Sequence, residues 1–404
     1  MKISMMTNNY KPFIGGVPIS IERLSNGLKN NGHNVNIFAP TYQNQIEEQN
    51  VIRYCSFKKT LNNKMVIPNI FDLNIEHKFK QLNADVIHVH HPNFIGWTSL
   101  YLGKKYNIPV VYTYHTRYEH YIHNLTFLKN SQLRNVIKNK LVPVSMRHFI
   151  NMCDRVIAPT NLMKNVLEDL KVSTPIDIIP TGVSDEFFEA DIKEVEKIKV
   201  QYQTKYLICT VCRLSKEKNI DFILRATKIL KERIGGDFKI LIIGDGPEKE
   251  NLINLANELN INQQIVWVGN VPNQQLKNYY SACDLFVFAS KSETQGIVLL
   301  EAMASKLPVV AIEASGVIDI VENNKNGYMT IEDEYKWTNK IIDIIKNDKL
   351  CNALSNGALE TAKDYTTNEI ALQAETIYFK AIQNIHNKAE NRVKAVNIWK
   401  RRTI

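Results

Sequence analysis

No apolar run in the 404 residues is long enough to cross a bilayer. The longest, such as Leu207 to Val211 and Ile240 to Ile243, fall far short of the ~20 apolar residues that a spanning helix requires. The start, Met1-Lys2-Ile3-Ser4-Met5-Met6-Thr7, lacks the apolar stretch and cleavage site of a secretory signal, so the expected compartment is the cytoplasm. A disulfide framework is missing too, because the six cysteines are scattered at 55, 153, 209, 212, 283 and 351. Cys209 and Cys212 make a single C-x2-C inside a strand-like run, where residues three apart point to opposite faces. No second pair completes a zinc site, and the cysteines read as structural. Neither a G-x-G-x-x-G fingerprint nor a Walker A loop occurs, so neither NAD nor ATP use is supported.

Acidic residues are absent from one long stretch. Between His120 and Cys153 there is no Asp or Glu, while Lys129, Arg134, Lys138, Lys140 and Arg147 are basic. Leucines, valine and isoleucine interleave with these cations, the composition of an amphipathic segment suited to an anionic bilayer surface. The net charge of +9 is uneven. Residues 1–190 hold 21 Lys and Arg against 14 Asp and Glu, and residues 388–404 hold six against one. Residues 191–387 are slightly acidic, with 23 against 26. The basic regions therefore call for an anionic partner, membrane surface or nucleic acid. No nucleic-acid module accompanies the charge, which sets the second aside.

Short apolar strands alternate with helical segments along most of the chain. Lys2–Met6, Asn34–Ala39, Asp85–Val89, Pro109–Thr113, Arg155–Ala158 and Ile176–Ile179 form one series. Tyr206–Cys212, Phe238–Ile243, Ile265–Val268, Leu285–Phe288 and Val309–Ala311 form a second. This pattern predicts α/β architecture, with parallel sheets covered by helices on both faces. The length predicts two domains, Rossmann-like and of similar size, with ligand between their C-terminal strand edges. Boundaries are expected at 1–190 and 200–365, with the charged stretch Glu186–Gln203 as linker. A helix with a basic tail, 366–404, is expected to return to the first domain.

The chemistry-bearing residues lie at strand ends. Glu293-Thr294-Gln295-Gly296-Ile297-Val298-Leu299-Leu300-Glu301 places two carboxylates about a glycine that opens a helix. A glycine there lets a ligand approach backbone N–H groups suited to phosphate, and carboxylates accept from sugar hydroxyls. Arg213-Leu214-Ser215-Lys216-Glu217-Lys218 follows the first strand of the second series; a guanidinium grips two phosphate oxygens and an ammonium adds a point charge. Gly15-Gly16 opens the first helix, Gly244-Asp245-Gly246-Pro247 is a tight turn, and Gly269-Asn270-Val271-Pro272 repeats that logic. His115 stands just past the strand ending at Thr113. Each piece alone is weak.

Taken together, in order and spacing, they resemble the retaining GT-B glycosyltransferases of family 4, across residues 1 to about 380. The resemblance implies that Arg213 and Lys218 neutralise the diphosphate of a UDP-sugar. It gives Glu301 the ribose and Glu293 the transferred sugar, with Gly296, Ile297 and Val298 offering backbone N–H groups. Gly15 and Gly16, Gly244 and Asp245, and Val271 would line the donor site, and His115 would contact the sugar. It implies retention by a front-face route without a protein nucleophile. No D-x-D occurs anywhere, in keeping with a family that uses side-chain cations and no obligatory metal or cofactor.

His115-Thr116-Arg117-Tyr118-Glu119-His120-Tyr121 is similar, through Tyr118, Glu119 and Tyr121, to the bacterial 1,2-diacylglycerol glucosyltransferases of this family. That implies a diacylglycerol acceptor and a peripheral site on the inner membrane face, with Lys129, Arg134, Lys138, Lys140 and Trp399 at the lipid surface. A soluble or polyprenyl-linked glycan is the alternative acceptor.

Overall fold

The computed structural model describes residues 1–13, 15–43, 45, 47–61, 65–69, 72–115 and 141–402, the side chains of 58–61, 65 and 388–402 excepted. The chain forms two compact units.

The first unit comprises Met1–Thr181 and Asn368–Ile404. Its strands are β1 (Lys2–Met6), β2 (Asn34–Pro40), β3 (Val51–Tyr54), a hairpin of β4 (Ser56–Leu61) and β5 (Met65–Pro68), β6 (Val86–Val89), β7 (Val110–Thr113), β8 (Arg155–Ala158) and β9 (Ile176–Ile178). Seven of them make a sheet in the order β3-β2-β1-β6-β7-β8-β9, with every pairing parallel. Helices flank the strands, so both sheet faces are apolar. β6 and β7 are buried along their whole length, the near-continuous apolar run that a doubly covered parallel strand needs.

The second unit is Gly182–Thr367. Here β10 (Tyr206–Val211), β11 (Phe238–Ile243), β12 (Ile265–Gly269), β13 (Leu285–Phe288), β14 (Val309–Ile312) and β15 (Gly327–Thr330) form a parallel sheet. Its order is β12-β11-β10-β13-β14-β15. Both units are therefore Rossmann-like, as the alternation predicts.

Each sheet has one point where successive strands depart in opposite directions: between β1 and β6 in the first unit, and between β10 and β13 in the second. The loops leaving the carboxyl ends of such neighbours diverge to opposite faces and open a crevice for ligand. The loop after β1 holds Gly15 and Gly16, and that after β6 begins with His90 and His91. Arg213 and Lys218 follow β10, while Glu293 follows β13.

Thr367–Arg402 is one continuous helix. Ile370, Ala371, Ala374, Ile377, Tyr378 and Ala381 are buried at helical spacing against Ile3, Met5, Ile21 and Leu28. The terminal helix thus packs on the first unit, the GT-B arrangement. Burying a large aliphatic side chain is worth roughly 1.5–3 kcal/mol, so Ile370 and Ile377 favour this docking.

The segment read as a linker is not one. Ile192–Tyr202 is a helix of the second unit, begun by Asp191, whose carboxylate accepts from the N–H groups of Lys193 and Glu194. Ile198 anchors it in the core.

Candidate functional site

In the second unit the site grows from β10 and β13. Beyond Val211 the chain turns through Cys212 and Arg213, is pinned by buried Leu214, and makes a short 3-10 turn at Lys216–Lys218. Leu214 donates its N–H to the carbonyl of Asp245 (3.1 Å), and the Lys218 N–H goes to the carbonyl of Ser215 (2.9 Å). The loop after β13 is tied to this turn, because Lys291 donates its N–H to the carbonyl of Glu217 (2.9 Å). These ties bring Lys218 Nζ onto Glu293 Oε1 as an ion pair, the two side chains 19% and 16% exposed. Burial pulls the Lys218 ammonium down, but the Glu293 carboxylate outweighs it and the net shift is upward. Lys218 therefore stays charged. Burial also pushes the neighbouring Cys212 thiol up to about 12, which leaves it protonated and unreactive at neutral pH.

Gly296 precedes the helix Ile297–Ala304 with φ +74°. That left-handed backbone favours glycine, and a Cβ there would also meet Leu299 Cδ1 at 2.9 Å. No side chain caps this helix and no acid occupies its first turn. An α-helix leaves its first N–H groups without intrahelical acceptors, so the start at Ile297 and Val298 favours an anion. Glu301 is only 2% exposed, not a solvated helix residue, and its Oε2 accepts from the hydroxyl of Tyr280 at 3.2 Å. Arg213 is exposed and forms no ion pair among the described residues.

Gly244 and Asp245 have a local structural explanation. A Cβ on Gly244 would sit 1.9 Å from the Cys212 carbonyl oxygen, so the turn needs glycine to pass the Arg213 loop. Asp245 Oδ1 accepts from the Gly246 N–H at 2.8 Å and Oδ2 stands 3.8 Å from Lys249. Val271 is half-buried against the same apolar core as Val298.

In the first unit the expected residues gather about the β1/β6 switch. Gly15 and Gly16 open the helix Gly16–Asn30, which has no side-chain cap and no acid in its first turn. A Cβ on Gly16 would meet nothing within 4 Å, so the local packing does not require glycine there. His115 stands two residues past β7, half-buried.

Sequence reasoning missed the histidines beneath it. His88 bonds Thr113 Oγ1 through Nε2 and the Tyr378 hydroxyl through Nδ1, both at 2.7 Å. His90 Nδ1 meets His115 Nε2 at 2.9 Å. His91 Nδ1 accepts from the Asn8 N–H at 3.2 Å. The run His88-Val89-His90-His91, straddling the end of a buried strand, was the available signal. Tyr280, 21 residues from Glu301, left none.

Burial pushes His88 down to about 3 and His91 to about 4, and pushes His90 and His115 well below the usual imidazole range. Below pH ~6.5 the unfolded chain takes up protons that these folded imidazoles refuse, so stability falls as the pH drops, for His88 and His91 down to about pH 3–4. Above pH 6.5 the effect vanishes. Thermal unfolding at pH 7.5, 6.5, 5.5 and 4.5 is expected to fall through the last two steps, less so for His91→Asn. An equal slope in the variant contradicts this origin.

Tyr118, Glu119, Tyr121, Lys129, Arg134, Lys138 and Lys140 lie outside the described residues, as does the side chain of Trp399. Among the described residues no group of three or more His, Cys, Asp or Glu could hold a metal ion, and no helix is long and apolar enough to cross a membrane.

The comparisons bear on both halves. Residues 14–187 match the family model "Glycosyltransferase Family 4" and residues 191–361 match "Glycosyl transferases group 1". An alpha-monoglucosyldiacylglycerol synthase of Streptococcus pneumoniae is 33% identical over 322 residues, 77% of this chain and 71% of that protein. The enzyme of that name from Acholeplasma laidlawii is 30% identical over 401 residues, 96% and 99% of the two chains. Among solved structures, sucrose-phosphate synthase of Thermosynechococcus elongatus superposes with a TM-score of 0.75 at 20% identity, over 95% of this chain and 99% of that one. HepE of Anabaena in complex with UDP-glucose superposes at 0.71 and 18% identity, over 93% and 99%, a likeness of fold. With its two parallel sheets, its returning helix and matches along nearly its whole length, the chain belongs to glycosyltransferase family 4.

Proposed function

We propose that this enzyme moves a hexose, glucose in the first instance, from a UDP-sugar to 1,2-diacylglycerol at the cytoplasmic membrane surface, with retention of configuration. The observation that carries the donor half is the Lys218–Glu293 pair at the β10/β13 switch, in the unit that also holds the uncapped helix start at Gly296 and the exposed Arg213. Lys218 gives one of its three N–H donors to Glu293 and keeps two for diphosphate oxygens. Arg213 adds a bidentate grip, and the helix start adds dipole and N–H groups where charge grows as the bond breaks. Glu293, fixed by Lys218, accepts from hydroxyls of the sugar, and Glu301, held by Tyr280, takes the ribose. At the β1/β6 switch of the first unit, Gly16, which local packing does not need as glycine, leaves room for an anion at the helix start. The C1–phosphate bond breaks, the acceptor oxygen bonds C1 on the same face, and its proton passes to the departing phosphate.

The acceptor half rests on the two alpha-monoglucosyldiacylglycerol synthases and on one surface of the first unit. Phe94 and Trp97 at the start of the helix Ile95–Tyr106, and Leu141 and Val144 at the start of Val142–Asn151, are 40–58% exposed. Trp97 links these helices, its ring 6.0 Å from His148 and 5.8 Å from Phe149. The second helix continues the acid-free basic stretch that begins at His120. Apolar tips beside cations suit an anionic bilayer. Trp97→Ser with Val144→Ser is expected to reduce sedimentation with phosphatidylglycerol vesicles several-fold, at unchanged secondary structure. Unchanged sedimentation contradicts the docking face.

The function itself is tested by mass spectrometry of lipid products from UDP-glucose and diacylglycerol vesicles. Monoglucosyl-diacylglycerol is expected; transfer to a soluble or polyprenyl-linked glycan alone overturns the acceptor.

A further inference from the structure

His90 is 1% exposed and lies between two other imidazoles. Its ring centroid is 4.1 Å from that of His88 and 5.2 Å from that of His115, stacked on the latter at 25°. The contact between His90 Nδ1 and His115 Nε2 allows one proton between the two nitrogens. Two neutral arrangements satisfy it.

If His115 donates from Nε2, His90 accepts at Nδ1 and must carry its own proton on Nε2. That nitrogen is buried and meets no partner among the described residues. A sealed N–H without an acceptor costs about 1–3 kcal/mol and is rare in folded proteins. If instead His90 donates from Nδ1, its Nε2 is left with a lone pair, which tolerates an apolar enclosure better than an N–H does. His115 then accepts at Nε2 and carries its proton on Nδ1.

We infer that His90 is a positioning residue, donating from Nδ1 to His115 Nε2 and fixing His115 as the Nδ1–H tautomer. This reverses the ordinary preference of a solvated histidine for Nε2–H. His115 then offers its ligand a neutral N–H donor at Nδ1 and has no lone pair there to withdraw a proton. For turnover the inference rests on the contact of His115 with the sugar that the family resemblance implies, and it makes that contact a hydrogen bond given to a sugar oxygen.

The test is a two-bond nitrogen–proton correlation spectrum of the full chain labelled with 15N-histidine, with His115 assigned by its loss in His115→Gln. The expected spectrum has His115 protonated at Nδ1 and bare at Nε2. His90→Asn, whose side-chain amide can stand near the Nδ1 position, keeps that pattern and most of the activity. His90→Leu restores Nε2–H and lowers kcat at least about tenfold, the direction in which a wrong histidine tautomer acts elsewhere. Wild-type His115 protonated at Nε2 overturns the inference, whether or not His90→Leu folds. A chain inert toward UDP-glucose with His115 as Nδ1–H defeats the proposed function and leaves the tautomer assignment standing.

Discussion

Arg213→Ala is expected to lower kcat with UDP-glucose by about 10²–10³-fold, the usual loss when one preorganised stabiliser of developing charge is removed. Thermal unfolding is expected to stay where it was. Arg213 is exposed and has no ion-pair partner among the described residues, while its backbone is set by the 3.0 Å bond from the Ser215 N–H to its carbonyl and by buried Leu214. The fold gains little from the guanidinium, and surface changes of this kind sit within ~0.5 kcal/mol of neutral. Arg213→Lys should recover only part of the loss, since an ammonium cannot grip two oxygens in the fixed plane of a guanidinium. Wild-type turnover in Arg213→Ala would remove this residue from the site.

Lys218 and Glu293 should behave as a unit. Each side chain is less than a fifth exposed, so removing one partner strands the other's charge in a poorly solvated place. A fully buried pair loses about 3–5 kcal/mol in that situation; solvent still reaches this one, and about 1–3 kcal/mol is the expected cost of Lys218→Met or Glu293→Gln. The double variant is expected to be more stable than the sum of the two changes predicts, because no charge is left unpaired. Activity should follow a different rule, with kcat down about 10²-fold or more in either single variant and not restored in the double. A double variant that regains turnover would make the pair a structural strut only.

Much of this was legible in the residues. The alternation of apolar strands and helices carried the two Rossmann-like units, because a parallel strand covered on both faces must be apolar throughout. Strand-end positions pointed to Arg213, Lys218, Glu293 and His115. What stayed hidden has identifiable causes. β3 and β15 are edge strands, where packing on one side relaxes the apolar requirement, and β4 and β5 form a separate two-stranded hairpin outside the main sheet. The charge of Ile192–Tyr202 looked like a linker, although Val195, Ile198 and Tyr202 recur at helical spacing and pack on the core. Partnerships distant in sequence could not be read at all. Tyr280 reaches Glu301 across 21 residues, and Tyr378 reaches His88 across 290. The basic segment after His115, most informative about the acceptor as sequence, lies largely outside the described residues.

The central claim is that side-chain cations and a helix start of the second unit, and no metal ion, hold a nucleoside diphosphate. Equilibrium calorimetry of UDP binding in excess EDTA tests it most directly. The account predicts that wild type binds UDP under chelation and that Arg213→Ala weakens binding by at least about tenfold, the loss of a charge-assisted bidentate contact. Binding that vanishes with EDTA and returns with magnesium, or that is indifferent to Arg213, would contradict it.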